Sequence, residues 1–187
     1  HYQNKLSKTY SNHNEILASY GNGIQYISSV IFNKSCFFIQ RNFNYKNLHQ
    51  YGNSFSYALY VSLFNKPKFK FISQPIIKYR GFNYDLTEVN IWYKYFIYGN
   101  EVLFKILKDQ GYSDNSILSA RSRMINQYLN TDITGRKLEN YNTLQLLKKI
   151  PKTYYFHLSF LLIGLPIILT PGLIFLPIYR FLKKMKN

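Results

Sequence analysis

Proton transfer and metal binding both need acids, and this 187-residue chain has only 8 Asp and Glu against 24 Lys and Arg. Asp85 and Glu88 form the close pair at a predicted loop-to-helix junction. A carboxylate there can serve as a general base, and it can equally cap and charge the first turn of the following helix. Arg80-Gly81 follows a predicted strand. Ligands of open α/β sheets sit in such strand-end loops, and a guanidinium pairs bidentately with phosphate, although the same two residues also suit a structural turn. The four histidines, His1, His13, His49 and His157, are scattered, and none has the spacing of a zinc-binding helix. Cys36 is the single cysteine, which excludes an internal disulfide and a thiolate zinc cluster and points to a reducing compartment. No metal site is expected from these residues. Gly21-Asn22-Gly23 lacks the third glycine and the Lys-Ser/Thr ending of a phosphate loop and reads as a turn.

The net charge of +16 calls for a phosphate-rich partner: nucleic acid, anionic lipid or a phosphorylated small substrate. Its distribution favours lipid. From Arg136 to Asn187 there are nine basic residues and one acid, Glu139, and most of the bases flank an apolar run. The abundant tyrosines and phenylalanines could stack bases, but no predicted helix carries a dense basic stripe, so nucleic acid is not the expected partner.

These residues need elements to position them. Residues 1–20 are polar and read as a loop or arm. Ile24–Phe32 is β-branched and aromatic and predicts a buried strand, or a strand followed by a short helix. Ser54–Phe64 places Phe55, Leu59 and Leu63 at helical spacing and must stop before Pro67. Lys68–Ile72 alternates basic and apolar residues, the period of a half-buried strand, and Ile76–Tyr79 predicts another. From Leu86 to Gln110 apolar residues recur at three and four, with Gly111 closing the run, and Ser113-Asp114-Asn115 opens a further helix through Met124 and Tyr128.

Between Thr153 and Tyr179 no side chain carries a full charge. About 20 apolar residues cross a bilayer core of roughly 30 Å, so length permits a span. Gly164, Pro166, Pro171, Gly172 and Pro177 favour instead two short helices meeting near Thr170-Pro171-Gly172. Lys148, Lys149 and Lys152 precede the run and Arg180, Lys183, Lys184 and Lys186 follow it. A re-entrant hairpin keeps both basic flanks on the cytoplasmic face of a membrane; a single crossing does not. The competing arrangement is a hydrophobic hairpin buried inside a soluble protein or dimer. His157 reads as an interfacial or packed residue rather than a ligand.

The segments Tyr26-Ile27-Ser28-Ser29-Val30-Ile31-Phe32-Asn33-Lys34, Tyr51-Gly52-Asn53-Ser54-Phe55-Ser56-Tyr57 and Phe71-Ile72-Ser73-Gln74-Pro75-Ile76-Ile77-Lys78-Tyr79-Arg80-Gly81 resemble the C-terminal portion of family 2 glycosyltransferases, in the abequosyltransferase-like branch. The resemblance spans residues 20 to 130. It implies an α/β fold, the C-terminal half of a GT-A-like mixed sheet with covering helices, followed by a hydrophobic helical hairpin tail. The implied divisions are an acceptor-side half-domain at 1–130, a linker at 131–152 and a membrane-associating tail at 153–187.

The implied activity is transfer of a sugar from a nucleotide-sugar donor to a lipid-linked saccharide acceptor in surface polysaccharide synthesis. A noncatalytic membrane-bound scaffold or subunit is the alternative. On the family pattern Arg80 and Gly81 face the donor diphosphate and Asn53, Ser54 and Tyr57 face the acceptor. The family's divalent metal, Mg or Mn, is held by an Asp-x-Asp motif. This chain contains no such motif, so the ligands and the nucleotide-binding half are expected outside it, and the fragment is expected to be inactive alone. The carboxylate that the broader family often places near the acceptor segment is missing from Gly52–Tyr57: either Asp85 or Glu88, weak candidates, substitutes as the base, or the base lies in the absent half, or the copy is degenerate.

Overall fold

The computed structural model describes residues 7–21, 53–65, 67–71, 93–139 and 141–186. The chain divides into two compact units, His1–Arg121 and Ser122–Asn187. Most of the described residues are helical, and this overturns the α/β expectation. Their β structure is one two-stranded antiparallel sheet, not half of a GT-A-like mixed sheet. The predicted strands at 24–32 and 76–79 lie outside the described residues.

The strand predicted at Lys68–Ile72 does form, as β2 (Phe69–Phe71), with Lys70 exposed and the two phenylalanines half-buried. It pairs with β1 (Lys8–Tyr10), in register Lys8 to Phe71 and Tyr10 to Phe69. Alternation says that a segment can be a strand but not which partner it finds, and the polar arm expected at 1–20 supplies the partner.

That arm continues into α1 (His13–Tyr20). Asn12 caps it: its Oδ1 accepts from the N–H groups of Asn14 and Glu15 at 2.8 and 3.3 Å, and Glu15 charges the positive first turn. Ile16, Leu17 and Tyr20 then fall on one buried face. Tyr20 meets Tyr10 edge-on at 5.4 Å and stacks on Phe71 at 5.6 Å, so the small sheet is fastened to the helix by rings.

The next helix, α2 (Ser54–Asn65), ends two residues before Pro67 and is buried without a break from Ser56 to Leu63. A helix apolar on all sides belongs in a core. A π-helical turn, Tyr93–Tyr98, leads into α3 (Gly99–Asp109), which buries Leu103, Phe104 and Leu107. Gly111 ends that helix with φ at 104°. The Gly111 N–H donates to Lys108 O and the Tyr112 N–H to Leu107 O, each at 3.0 Å. This is the paired bonding of a Schellman cap, with the apolar residue after the glycine folded back on the helix. Tyr112 is 3% exposed; its hydroxyl donates to Tyr60 O at 2.8 Å, and burial holds its phenol far above the ordinary range.

After Ser113, whose Oγ accepts from Ser116 N–H at 3.2 Å, comes α4 (Asp114–Met124). Its final residues, Ser122–Met124, open the second unit. There a π-helical segment, Ile125–Leu129, winds into α5 (Asn130–Leu138). Thr143–Lys149 is 3-10 helical and α6 (Lys152–Tyr155) is a single turn. The stretch 131–152 is largely helical, and it buries Ile133, Lys137, Thr143 and Leu146.

The C-terminal residues also depart from expectation. They are not a hydrophobic hairpin apart from the domain, because Tyr154, Phe160 and Ile168 are all buried in the second unit. The N–H of Leu165 reaches back to Phe160 O, closing a widened π turn just before Pro166, which has no N–H to give. Then come α7 (Leu165–Leu169) and α8 (Gly172–Lys186). Among the described residues no helix is long and apolar enough to cross a membrane. A β-carbon on Gly164 would lie 2.6 Å from both Asn130 Oδ1 and Phe160 Cδ2, so glycine is what lets this turn approach α5.

Gly111→Ala should destabilise the protein by about 1–2 kcal/mol, because an L side chain resists positive φ and its β-carbon would sit 3.1 Å from the Phe64 ring. Urea unfolding monitored by tyrosine fluorescence reads this as a lower midpoint at unchanged slope. An unchanged midpoint would contradict the cap.

Candidate membrane-contacting surface

The second unit places one charge where charges are rarely found. Lys137 is 8% exposed, and its Nζ donates to Thr143 Oγ1 at 3.0 Å and to Ile168 O at 3.3 Å. Thr143 Oγ1 also donates to Ile168 O, at 3.3 Å. Ile168 lies in the last turn of α7, where carbonyls have lost their helical partners and the dipole favours a cation. Burial pushes the Lys137 ammonium below the ordinary lysine range. At the start of the same helix α5, burial also raises Asp132, against the pull of Arg136, whose Nε lies 2.8 Å from the carboxylate.

Directly after this clamp the chain turns. The Thr170 N–H and its hydroxyl both donate to Pro166 O, at 2.9 and 2.7 Å. Ile174 and Phe175 donate back to Pro171 O, which starts α8. Phe175, Leu176 and Tyr179 are half-buried on one side of α8. On the other side Leu173, Ile174, Ile178, Phe181 and Met185 are all exposed, Leu173 by 91%. At 3.6 residues per turn these five fall within about 140° of arc. The exposed Arg180 and Lys184 run along one edge of that arc.

A surface helix ordinarily turns its polar face to water; here the outward face is the apolar one. Phe156, Leu158, Leu162, Ile163 and Leu169 extend the exposed apolar surface through the same unit, with Phe156 at 87%. Lys148 and Lys152 are exposed and Lys149 half-exposed on the preceding segment. Isolated exposed leucines need no explanation, but eleven large apolar side chains within residues 156–185 of one small unit signal a surface that something covers.

His157 and Ser122 meet at 2.8 Å in this unit. The Ser159 N–H donates to His157 Nδ1 at 3.3 Å, so the neutral ring carries its proton on Nε2 and donates to Ser122 Oγ. A serine nucleophile needs the opposite polarity, with the ring nitrogen free to accept its proton. The pair anchors the chain before Phe160 and is not a catalytic dyad.

The residues that the sequence singled out are placed as follows. Arg80, Gly81, Asp85 and Glu88 lie outside the described residues. Asn53, Ser54 and Tyr57 stand at the start of α2: Asn53 is 3% exposed and Tyr57 fully buried within the core, while the Ser54 hydroxyl is buried without a hydrogen-bond partner among the described residues. Tyr57 packs in the aromatic core of the first unit. Among the described residues no cluster of three His, Cys, Asp or Glu could hold a metal ion. The buried Lys137 escaped the sequence reading, since a lysine in a polar stretch signals solvent, and only the spacing of Ile133 and Lys137, one helical turn apart, hinted at a shared face. Comparison with protein-family models, curated proteins and solved structures finds no match to this chain.

A pH series tests the clamp. The unfolded state holds the lysine proton up to the ordinary pKa, about 10.5, whereas the folded state releases it earlier. Unfolding therefore takes up a proton in the window just below that value, and stability rises with pH there. Lys137→Met should flatten this rise in parallel denaturation curves. Equal slopes for the two proteins would show that the ammonium is not desolvated.

Proposed function

We propose that the second unit seats this protein on the surface of an anionic membrane, with the outward face of α8 and the neighbouring Phe156–Ile163 segment entering the headgroup boundary. The observation that carries the reading is the reversed amphipathicity of α8, apolar outward, with cations at its edge. Such a helix lies in the plane of the interface. Each fully buried Leu, Ile or Phe contributes about 1.5–3 kcal/mol, and each juxtamembrane Lys or Arg about 1 kcal/mol on an anionic leaflet. The large positive charge of the whole chain acts in the same direction. Clustered cations support the anionic, cytoplasmic leaflet as the surface in this reading.

Sedimentation with vesicles containing anionic phosphatidylglycerol checks this. The parent chain should partition into the pellet and be partly released by salt, while Leu173→Asp combined with Ile178→Asp should weaken partition by about a hundredfold or more, two lost apolar contacts at roughly 1.5 kcal/mol each. If the double variant partitions equally well, the α8 face is not the contact. If the parent ignores vesicles but self-associates, and the variant does not, that face joins two copies of the chain instead.

A catalytic reading is supported by a separate observation, the sequence segments at 26–34, 51–57 and 71–81. In it the membrane-seated chain belongs to an enzyme that transfers a sugar from a nucleotide-sugar to a lipid-linked saccharide, with a divalent metal bound elsewhere in the full-length protein. Arg80 would neutralise charge on the departing diphosphate. In turnover assays of the full-length protein with a panel of nucleotide sugars, Arg80→Ala should lower the rate about a hundredfold. Undiminished turnover would remove Arg80 from the donor site.

A further inference from the structure

In the first unit His13 opens α1 and packs against two rings, Phe64 near the end of α2 at 4.6 Å and Tyr112 just before α4 at 4.9 Å. Its neighbour Asn14 reaches across to the start of α4. Asn14 Oδ1 accepts from the Ser113 N–H at 2.8 Å, and the Ser116 hydroxyl, 2.9 Å away, divides its one proton between this oxygen and Ser113 O. A backbone N–H can only donate, so the orientation of the amide is fixed, and its Nδ2 is the atom that meets His13 Nε2 at 3.1 Å. Nδ2 also can only donate. His13 Nε2 must therefore accept, which makes the ring neutral with its proton on Nδ1.

A proton on Nε2 reverses that contact. Two donors then face each other, and the amide can satisfy the ring only by turning its oxygen towards it, which gives up the bonds from Ser113 and Ser116. The position opposes the charge as well. His13 is the first residue of α1, where the helix dipole is positive. Aromatic faces attract a cation, but burial prevails and holds the imidazole below the ordinary histidine range. The ionisable groups on the elements that pack at this end are engaged elsewhere among the described residues. None lies on α2, and Tyr112 stays a neutral phenol. Glu15 on α1 is paired with Lys8, Asp114 at the start of α4 is paired with Lys108, and Asp109 at the end of α3 is exposed to water.

We propose that His13 is an acid-sensitive latch between α1 and the start of α4, closed while Nε2 accepts from Asn14 and loosened when Nε2 takes up a proton. The latch is independent of the membrane reading. The unfolded chain binds this proton at the ordinary histidine pKa, about 6.5, and the folded chain binds it only at lower pH. The stabilisation is therefore complete above the ordinary value and is lost as the pH falls below it.

Hydrogen exchange of the full chain tests the latch, read by mass spectrometry on peptides covering 13–20 and 112–118 and corrected for the intrinsic pH dependence of exchange. In the parent the opening constant of both peptides should rise as the pH falls below the histidine range, by up to about tenfold per pH unit for one coupled proton. Peptides from α3 should keep theirs. Asn14→Asp retains an acceptor for the Ser113 N–H and offers its second oxygen to an imidazolium, so the acid response should disappear. His13→Gln has no group that titrates and should respond no more than Asn14→Asp. A measurement on the parent alone needs no variant: nitrogen NMR of the neutral His13 ring should show the proton on Nδ1. A ring protonated on Nε2, a constant opening in the parent, an equal rise in α3, or the parent's acid response persisting in either variant would each overturn the latch.

Discussion

The second unit depends on a buried ammonium that has no carboxylate beside it in its described hydrogen bonds. Lys137 reaches from the middle of α5 to the last turn of α7 and, with Thr143, gathers on the Ile168 carbonyl. Removing a charge from water is expensive unless dipoles replace the hydration. A helix C-terminus supplies such dipoles, which is why this cation is tolerated at that carbonyl. The consequence is directional. With the end of α7 held, the turn through Thr170 and Pro171 begins at a set point, and α8 leaves with Phe175, Leu176 and Tyr179 inward and Leu173, Ile178 and Phe181 outward.

That orientation links packing to function. Had α8 been rotated by half a turn, its apolar arc would have completed the core, and the cations at its rim would have been ordinary surface charge. Instead the inward side is only half-buried and the outward side carries the larger apolar load, so the free unit exposes a broad apolar surface.

The first unit uses a different solution to the shortage of acids. Its core is held by rings and hydroxyls: Tyr60 donates to Gly21 O at 2.6 Å, Tyr112 donates to Tyr60 O, and Tyr20 donates to Tyr10 at 3.0 Å. Buried phenols bring large apolar area and one polar tip, and the tips of Tyr60, Tyr112 and Tyr20 find carbonyl or hydroxyl partners. His13 is drawn into this network, packed at 4.6 Å from Phe64 and 4.9 Å from Tyr112, and burial keeps its ring below the usual histidine range. The histidine is a packing residue of the aromatic layer and not a ligand.

Local chemistry was legible wherever one segment carried its own signal. Pro67 placed the end of α2, Gly111 the end of α3, Ser113 the start of α4, and Pro171 the break before α8, because each acts on backbone geometry within a few residues. Asn12 with Glu15 three residues on was an equally good cap signal for α1, and it was masked by the polarity of the residues around it. What the sequence could not decide was partnership. Phe69–Phe71 was visible as a strand, but its pairing with Lys8–Tyr10 spans some sixty residues, and an alternating pattern that fits a strand of a mixed sheet fits a two-stranded one equally well. The apolar, cation-rimmed C-terminal segment was written in composition. Which of its faces would meet the protein and which would meet its surroundings was settled only by tertiary packing, through a lysine, a carbonyl and a glycine far apart in the chain.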